Sequence, residues 1–270
     1  MQPAKLLAGT FNHLRPCRHG WMLYNVNDLV VGRSLDLYGE YSEGEVEVFR
    51  QLVQEGHVVL DVGANLGAHT LFFATTVGRK GAVLAFEPQR LLFQTLCANM
   101  ALNSLTNVFC HHLAVGAEHG TATVPPLDAY STQNFGRMSL LESTVGASIE
   151  KITLDSLNLP RCNFLKIDVE GMELDVLRGA RQTIERHKPI LYVEDDRPDH
   201  SAELSRYIDA LGYRIYRHLP PYFNPHNWFQ NPENVFDRYI SNNLLCIPQS
   251  SNVQVEGLPR VMPGKDPTNG

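Results

Sequence analysis

The sequence has no long apolar run, which disfavours the classes of protein that need one. No stretch approaches the roughly 18 consecutive apolar residues of a membrane-spanning helix. The first residues, MQPAKLLAGTFNHLRP, hold too short an apolar stretch for a secretory signal peptide. We therefore expect a cytoplasmic protein without a membrane span.

Paired cysteines and an excess of basic residues are also missing. The five cysteines lie far apart without a CxxC pair, which argues against a disulfide framework. The formal net charge is −6, and no stripe of Lys and Arg compensates for it. Because nucleic-acid affinity comes largely from phosphate neutralisation, we expect no nucleic-acid partner. The sequence leaves the oligomeric state open.

What the chain does have is an alternation of short apolar runs and helical segments from Gly56 onwards. With 270 residues, 43% of them hydrophobic, it is long enough for one large core. The runs VVLDVG, AVLAFEP, NFLKIDV and PILYVED are apolar on both faces, and helical segments separate them. Short strands of this kind indicate βαβ units. The sequence therefore predicts an α/β fold with a doubly wound, mostly parallel sheet over residues 57–248.

A small cover is predicted ahead of that sheet, over residues 1–56. We expect two short strands around Asn27 and Asp28. Ser42 and Glu45 have the spacing of a capping box, which predicts the start of a helix.

Three further segments break the alternation. Residues 125–148 and 219–242 are long connections, and connections of this length are more often functional than neutral. The second contains PPYFNPHNWF, an aromatic stretch suited to covering a sugar face, with ordinary loop packing as the alternative. Residues 249–270 have no apolar period, so we predict a disordered tail.

The stretch VVLDVGANLGAHT, residues 58–70, combines a strand, a glycine-rich turn and the start of a helix. This is the first unit of a nucleotide-binding sheet, whose ligand lies at the carboxyl ends of the strands. A dinucleotide fingerprint needs glycine at three positions, and the sequence has Gly63, Asn65 and Ala68 there. An NAD(P)-dependent oxidoreductase is therefore the weaker alternative.

S-adenosylmethionine suits the same stretch better, because it carries no phosphate. The carboxylate of Asp61 can meet the positive end of that cofactor, while Gly63 and Gly67 keep the backbone flat against it. Glu87 follows the second strand about 20 residues after Gly67, where an acid binds ribose hydroxyls. Pro88 then suits the first turn of the next helix.

Three motifs, DVGANLG, FEP and LKIDVEGMELDVLRGA, resemble the FkbM family of S-adenosylmethionine-dependent methyltransferases. The resemblance covers most of residues 20–248 and is most specific at 58–88 and 164–180. It implies a Rossmann-like class I methyltransferase fold and O-methylation of sugars, glycans or polyketide-like hydroxyls. The residues predicted to bind S-adenosylmethionine are Asp61, Gly63, Ala64, Asn65, Gly67, Thr70, Glu87, Pro88, Ala114 and Glu40.

Methyl transfer to an alcohol needs a base or a metal ion that activates the hydroxyl. Lys166, Asp168 and Glu170 end the fourth strand and Glu194 ends the next, so we predict these four as catalytic residues beside the cofactor. Crowding raises the proton affinity of a carboxylate, which suits a general base. If a hard cation such as Mg²⁺ is bound, its predicted ligands are Asp168, Glu170 and Glu194.

We favour base catalysis without a metal, because the acids are spread along the sequence rather than clustered. Residues 125–148 and 219–242 are expected to choose the acceptor. The alternative from another class is a non-catalytic protein that keeps the sheet for binding.

Overall fold

The computed structural model describes residues 6–7, 9–137 and 144–263. The strands are, in chain order, β1 (Asn12–Cys17), β2 (Gly20–Asn25), β3 (Val58–Val62), β4 (Ala82–Phe86), β5 (Val108–His111), β6 (Ala114–Val115), β7 (Gly120–Val124), β8 (Ala147–Ile152), β9 (Phe164–Ile167), β10 (Ile190–Glu194), β11 (Tyr213–His218) and β12 (Asn243–Pro248). They form a hairpin of β1 and β2, a seven-stranded central sheet, and a small sheet in the order β6-β8-β7.

Helices cover the central sheet and connect its strands. They are α1 (Val31–Tyr38), α2 (Glu43–Leu52), α3 (Ala68–Val77), α4 (Arg90–Leu102), α5 (Glu173–Gly179), α6 (Arg181–His187) and α7 (Pro198–Ala210). The longest, α4 and α7, have 13 residues each. In the described ranges no helix is both long enough and apolar enough to cross a membrane.

The central sheet has the strand order β11-β12-β10-β9-β3-β4-β5. Strands β3, β4, β5, β9 and β10 run parallel, and β12 lies antiparallel between β10 and β11. The chain proceeds outward from β3 to β5 and then returns to β9 on the other side of β3, so the strand order reverses there. This confirms the predicted doubly wound, mostly parallel sheet.

Side chains of the central strands alternate between two apolar layers. Val59 and Phe164 pack with α2 and α3 on one face, while Leu60 and Leu165 pack with α5 and α6 on the other. All four are fully buried. Burial of a side chain of this size stabilises the fold by about 1.5–3 kcal/mol. The continuous apolar runs in the sequence are explained by this two-sided burial.

The N-terminal cover differs from the sequence prediction in one place. Strand β2 pairs with β1 and ends before Asn27, so the prediction of two strands around Asn27 and Asp28 was wrong. The carboxylate of Asp28 accepts hydrogen bonds from the N–H groups of Val30 and Gly32. Because a side chain that accepts from these groups caps a helix, α1 forms here instead of a second strand.

Helix α2 begins after Ser42, as the capping-box spacing predicted. The interaction itself differs, because the hydroxyl of Ser42 donates to Oε1 of Glu45 at 2.8 Å and does not cap a backbone N–H group. The box therefore becomes a contact between two side chains, and Glu45 is turned inward and buried.

The predicted disordered tail differs from the structure over residues 249–263. Val253, Val255 and Leu258 pack against the apolar layer beside α2 and α3. The N–H group of Arg217 donates to the carbonyl oxygen of Pro259 at 2.9 Å. A few well-placed apolar side chains suffice to hold this segment without any regular period. The rest of the tail, 264–270, lies outside the described residues, as do positions 138–143 of the first long connection.

The end of β3 lies directly against the end of β9. Gly63 has a left-handed backbone with φ 79°, and a Cβ atom there would overlap the carbonyl oxygen of Asp168. Gly67 also has a left-handed backbone, with φ 91°. Its Cβ would meet the side chain of Leu96 at 2.6 Å instead. The obstacle at position 63 is therefore rigid backbone, whereas the obstacle at position 67 is a movable side chain.

We expect Gly63→Ala to lower the free energy of unfolding by about 3 kcal/mol or more, and Gly67→Ala by about 1–2 kcal/mol. Both variants carry the cost of a left-handed alanine, so the difference between them compares the overlap with the Asp168 backbone to the contact with the Leu96 side chain. Urea unfolding followed by circular dichroism measures both values. Equal losses in the two variants would contradict the close approach of β3 and β9.

Candidate active site

A cleft opens at the carboxyl ends of β3, β4, β9 and β10, where the strand order reverses. Both long connections contribute to its walls, through Asn134, Phe135 and Gly136 in the first and Tyr222 and Ser241 in the second. In sheets of this type the ligand binds at this position. The topology therefore places the candidate active site in this cleft.

Most of the predicted site residues line the cleft. They are Gly63, Ala64, Asn65, Glu87, Pro88, Ala114, Lys166, Asp168, Glu170 and Glu194. Four other predicted residues are not part of the lining that the structure describes, namely Asp61, Gly67, Thr70 and Glu40.

The turn after β3 is tied to the end of β4. The N–H groups of Gly63 and Ala64 both donate to the carbonyl oxygen of Phe86, each at 3.0 Å. Asn65 has a left-handed backbone with φ 52°, which points its N–H group at Oε2 of Glu87, 2.8 Å away. The turn therefore brings the carboxylate of Glu87 to the cleft wall in a fixed orientation.

Glu87 is oriented by the backbone on both of its carboxylate oxygens. Its Oε1 accepts a second hydrogen bond, from the N–H group of Gln89 at 2.8 Å. Burial raises the pKa of Glu87 to about 7, although the hydrogen bonds from Gln89 and Asn65 oppose that shift. Each oxygen keeps a further lone pair, so this carboxylate can still accept hydrogen bonds from two hydroxyl groups of a ligand.

Asp61 lies below the floor of the cleft, with 0% of its surface exposed. Its Oδ2 accepts a hydrogen bond from the hydroxyl of Thr70 at 2.6 Å, and its Oδ1 lies 3.5 Å from Nζ of Lys166. Asp61 and Thr70 therefore bind each other below the cleft, and their contact with a cofactor stays a prediction. Gly67 faces Leu96 of α4, so helix packing explains its missing side chain.

The carboxylate of Glu40 is also bound by groups of the protein itself, and its contact with the cofactor stays a prediction. Its Oε2 accepts hydrogen bonds from Nε of Arg18 at 2.6 Å and from the N–H group of Trp228 at 2.8 Å. Its Oε1 accepts from the side-chain amide of Asn224 at 2.8 Å. Glu40 therefore joins the turn between β1 and β2 to the connection 219–242.

Lys166 is held in the cleft by two carboxylates. Its Nζ lies 3.0 Å from Oδ2 of Asp168 and 3.5 Å from Oδ1 of Asp61. Burial by itself would lower the pKa of Lys166, but the charges of Asp168, Asp61 and Glu45 outweigh burial and raise the pKa. Lys166 therefore stays a cation and does not act as the base.

Glu170, Glu194 and Asp196 form a carboxylate cluster in which one oxygen from each lies within 4.8 Å of the others. Oε2 of Glu170 and Oε2 of Glu194 are buried and have no hydrogen-bond partner in the described part of the chain. Burial, together with the charges of Asp168 and Asp196, raises the pKa of Glu170 to about 8. Burial and the neighbouring carboxylates also raise the pKa of Glu194 well above its usual range.

This cluster differs from the predicted metal set by one residue. Asp168 pairs with Lys166, and Asp196 takes its place beside Glu170 and Glu194. Asp196 follows Glu194, the last residue of β10, by two positions. The alternation of a strand ends there, so the sequence pattern does not show which of the acids beyond it faces the cluster.

The wall near Lys166 contains Tyr41, which the resemblance to the family also places near the cofactor, and two side chains that the sequence prediction did not assign to the site, Glu45 and His69. Tyr41 lies between two other rings of the cleft, with centroids 5.4 Å from His69 and 6.0 Å from Tyr222. Glu45 lines the same wall, and burial raises its pKa although the charge of Lys166 opposes this. The sequence showed Glu45 only as a capping residue and gave no signal for His69.

Comparison with known proteins gives a family match and two related proteins. The model of the family described as Methyltransferase FkbM domain matches residues 61–215, more than half of the chain. "Methyltransferase 1" of Beauveria bassiana is 31% identical over an alignment of 143 residues, and the match covers 45% of this chain and 57% of that protein. "Hexuronic acid methyltransferase AglP" of Haloferax volcanii is 29% identical over an alignment of 161 residues, and the match covers 53% of this chain and 59% of that protein.

The similarity to these relatives is partial, since it spans less than two thirds of the length of either one. Among solved structures, Methyltransferase FkbM from Methylobacillus flagellatus KT matches 70% of this chain and 43% of its own chain, at 22% identity and a TM-score of 0.48. The family assignment rests on the sequence match over residues 61–215 and not on this structural similarity. The chain therefore belongs to the FkbM methyltransferase family, as its DVGANLG and FEP motifs predicted.

Proposed function

We propose that the protein transfers the methyl group of S-adenosylmethionine to a hydroxyl of a sugar, a glycan or a similar small molecule. The observation that carries this proposal is a single cleft with Glu87 at one end, the Glu170 and Glu194 carboxylates at the other, and the Gly63 turn between them. Membership of the FkbM family supports methyl transfer as the reaction.

The residues of the cleft suit S-adenosylmethionine, which supplies an electrophilic methyl group when bound. Glu87 has lone pairs left for the two ribose hydroxyls, and the backbone at Gly63 offers a surface with little side chain. Pro88 and Ala114 offer apolar contact for an adenine ring. We infer that the nucleoside lies across this part of the cleft.

The charge of the cleft supports the same ligand. Among the residues that the structure describes, five acidic side chains line it, Glu45, Glu87, Asp168, Glu170 and Glu194, against one lysine at position 166. Because a cationic ligand favours the ionised forms of these acids, a cleft lined by them suits the sulfonium and ammonium charges and disfavours the pyrophosphate of a dinucleotide. It also disfavours a nucleic-acid acceptor.

Glu170 and Glu194 are the side chains that we propose as acceptors of the hydroxyl proton. A general base works best when its pKa lies near the working pH. With its pKa near 8, the carboxyl of Glu170 is protonated in most molecules at pH 7 and loses its proton as the pH rises. Since the two groups repel each other, they titrate as a pair, and the pair that has lost a proton accepts the one from the acceptor.

A divalent cation bound by Glu170, Glu194 and Asp196 is the second candidate for activating the hydroxyl. Three oxygen atoms within 4.8 Å of one another, two of them without a partner among the described residues, favour it. Mg²⁺ prefers oxygen ligands of this kind. If EDTA removes methyl transfer and Mg²⁺ restores it, a metal ion activates the hydroxyl. If transfer is unchanged in EDTA, the carboxylate base activates it.

The acceptor class rests on one relative and on the connection 219–242. The relative named hexuronic acid methyltransferase supports a sugar-like acceptor. Tyr222 of the connection lines the cleft, and Trp228 and Tyr239 of the same connection are 51% and 71% exposed. Aromatic rings pack well against the apolar faces of sugar rings. We propose that this connection binds the acceptor.

We expect Glu87→Ala to weaken binding of S-adenosylhomocysteine, the demethylated cofactor, by about 100-fold, because two hydrogen bonds between ribose hydroxyls and a carboxylate are lost. Isothermal titration calorimetry measures the dissociation constant. Glu118→Ala, a change at an exposed glutamate outside the cleft, is the matched control and should leave it unchanged. Wild-type protein that binds no S-adenosylhomocysteine would overturn the proposed function. Binding without methyl transfer to any acceptor in a glycan panel would favour the non-catalytic alternative.

Glu170→Gln is expected to remove methyl transfer and also to stabilise the fold at pH 8. The pKa of Glu170 is raised to about 8, above the value of an unfolded glutamate, so the native protein loses stability as the pH rises from about 4.5 to 8. Gln cannot ionise, so we expect its melting temperature to exceed that of the wild type by at least about 2 °C at pH 8, with little difference at pH 5.

Thermal unfolding at the two pH values measures this effect, with Glu118→Gln as the exposed control. A variant that is destabilised equally at pH 5 and pH 8 would show that Glu170 holds the fold together through its contacts, and would contradict its proposed role as a strained base.

A further inference from the structure

Helix α3 begins at the cleft with unpaired backbone donors. Ala68 and His69, its first two residues, both line the cleft. The N–H groups of Gly67 and Leu71 are bonded to Ala64 and Gly67, but those of Ala68 and His69 have no partner in the part of the chain that the structure describes. The start of a helix carries a partial positive charge and favours an anion.

The side chain of His69 adds a second unpaired group at the same place. It is only 6% exposed, and its Nε2 has no hydrogen-bond partner among the described residues. The ring is held by Tyr41, at a centroid distance of 5.4 Å, and by the edge of Phe49 at 5.3 Å. Burial, together with the charges of Lys166 and His19, keeps the pKa of His69 well below its usual range. The ring is therefore neutral, and a buried polar nitrogen without a partner is costly unless a ligand binds it.

Lys166 supplies the charge that an anion needs. It is the only Lys or Arg among the cleft-lining residues that the structure describes, and its side chain is 3% exposed. An ammonium group has three N–H donors. Oδ2 of Asp168 accepts a hydrogen bond from one of them at 3.0 Å, whereas Oδ1 of Asp61 forms only an ion pair at 3.5 Å. At least one donor is left for a ligand.

We propose that His69, Lys166 and the first turn of α3 bind the carboxylate at the amino-acid end of S-adenosylmethionine. This inference rests on the proposed function, and it names the contacts at the end of the cofactor opposite to Glu87. It also gives Asp61 a role, since its buried carboxylate holds Lys166 and thereby positions the binding group without touching the ligand.

The position in the sheet agrees with this assignment. Glu87 follows β4 and Lys166 lies in β9, and β3 separates the two strands. Two strand spacings amount to about 10 Å. A nucleoside whose ribose is bound by Glu87 can span that distance with its aminocarboxypropyl chain across the Gly63 turn. An anionic group on an otherwise acidic cleft can lie favourably only beside its single lysine.

The test compares two ligands that differ in the amino-acid end, which carries the proposed carboxylate contact. S-adenosylhomocysteine has the amino-acid end, whereas 5′-methylthioadenosine keeps the adenine, the ribose and the sulfur but lacks it. We expect His69→Phe, which preserves the ring packing against Tyr41 and Phe49, to weaken S-adenosylhomocysteine binding by about 10-fold and Lys166→Met by about 100-fold. Both variants should bind methylthioadenosine as the wild type does, as measured by calorimetry.

His111→Phe is the matched control. The Nε2 of His111 is also buried and unpaired among the described residues, and its ring stacks on Phe86 at 4.9 Å, but it does not line the cleft. This variant should leave the ratio of the two affinities unchanged.

The outcomes separate this inference from the proposed function. Weaker binding of S-adenosylhomocysteine alone supports the carboxylate site. Equal weakening of both ligands, or no change with either, overturns it while leaving the nucleoside site in place. Lys166→Met also leaves the buried Asp61 without its ion pair. If that variant binds neither ligand, the result with His69→Phe decides. Wild-type protein that binds neither ligand overturns the proposed function itself.

Discussion

The contact between Gly63 and the carbonyl group of Asp168 determines how closely β3 and β9 can end beside each other. A side chain at position 63 would overlap that carbonyl oxygen. The contact keeps Lys166 of β9 beside Asp61 of β3, and it leaves the N–H group of Asn65 free to orient Glu87. Gly63, which the sequence predicted as a cofactor contact, is therefore required already by the close packing of the protein's own backbone.

The acids at the far end of the cleft oppose the stability of the fold. Burial and mutual repulsion raise the pKa values of Glu170 and Glu194. Proton loss from such groups favours the unfolded state, because there the charges separate and are solvated. Clusters with this property are typical of functional sites, where a shifted pKa serves the chemistry. Lys166 pairs with Asp168 and Asp61 and not with Glu170 or Glu194, so the repulsion between these two acids remains.

The sequence predicted the elements whose apolar pattern is decided locally. The run AVLAF forms β4, and RLLFQTLCANMAL forms α4, because the first is buried on both faces and the second is a long helical segment between two strands. Prediction failed where one polar side chain decides the structure. Asp28 caps α1 where a strand was expected, and Glu40 is bonded to a connection almost 200 residues further along. An acid at a strand end is visible in the sequence, but whether it faces a ligand or a buried lysine, as Asp61 does, depends on the neighbouring strand.

The hydrogen bonds of Glu40 connect the turn between β1 and β2 to the connection 219–242, two segments that lie far apart in the sequence. Arg18, Asn224 and Trp228 all donate to its carboxylate, and the guanidinium group of Arg15 lies 4.0 Å from the centre of the Phe229 ring. The family match starts only at residue 61, so the support for this wall lies outside the shared region. A chimaera that received a relative's 219–242 connection without the relative's own hairpin would leave the buried carboxylate of Glu40 with Arg18 but without the donors at positions 224 and 228. The connection 219–242 and the turn between β1 and β2 would therefore have to be transplanted together.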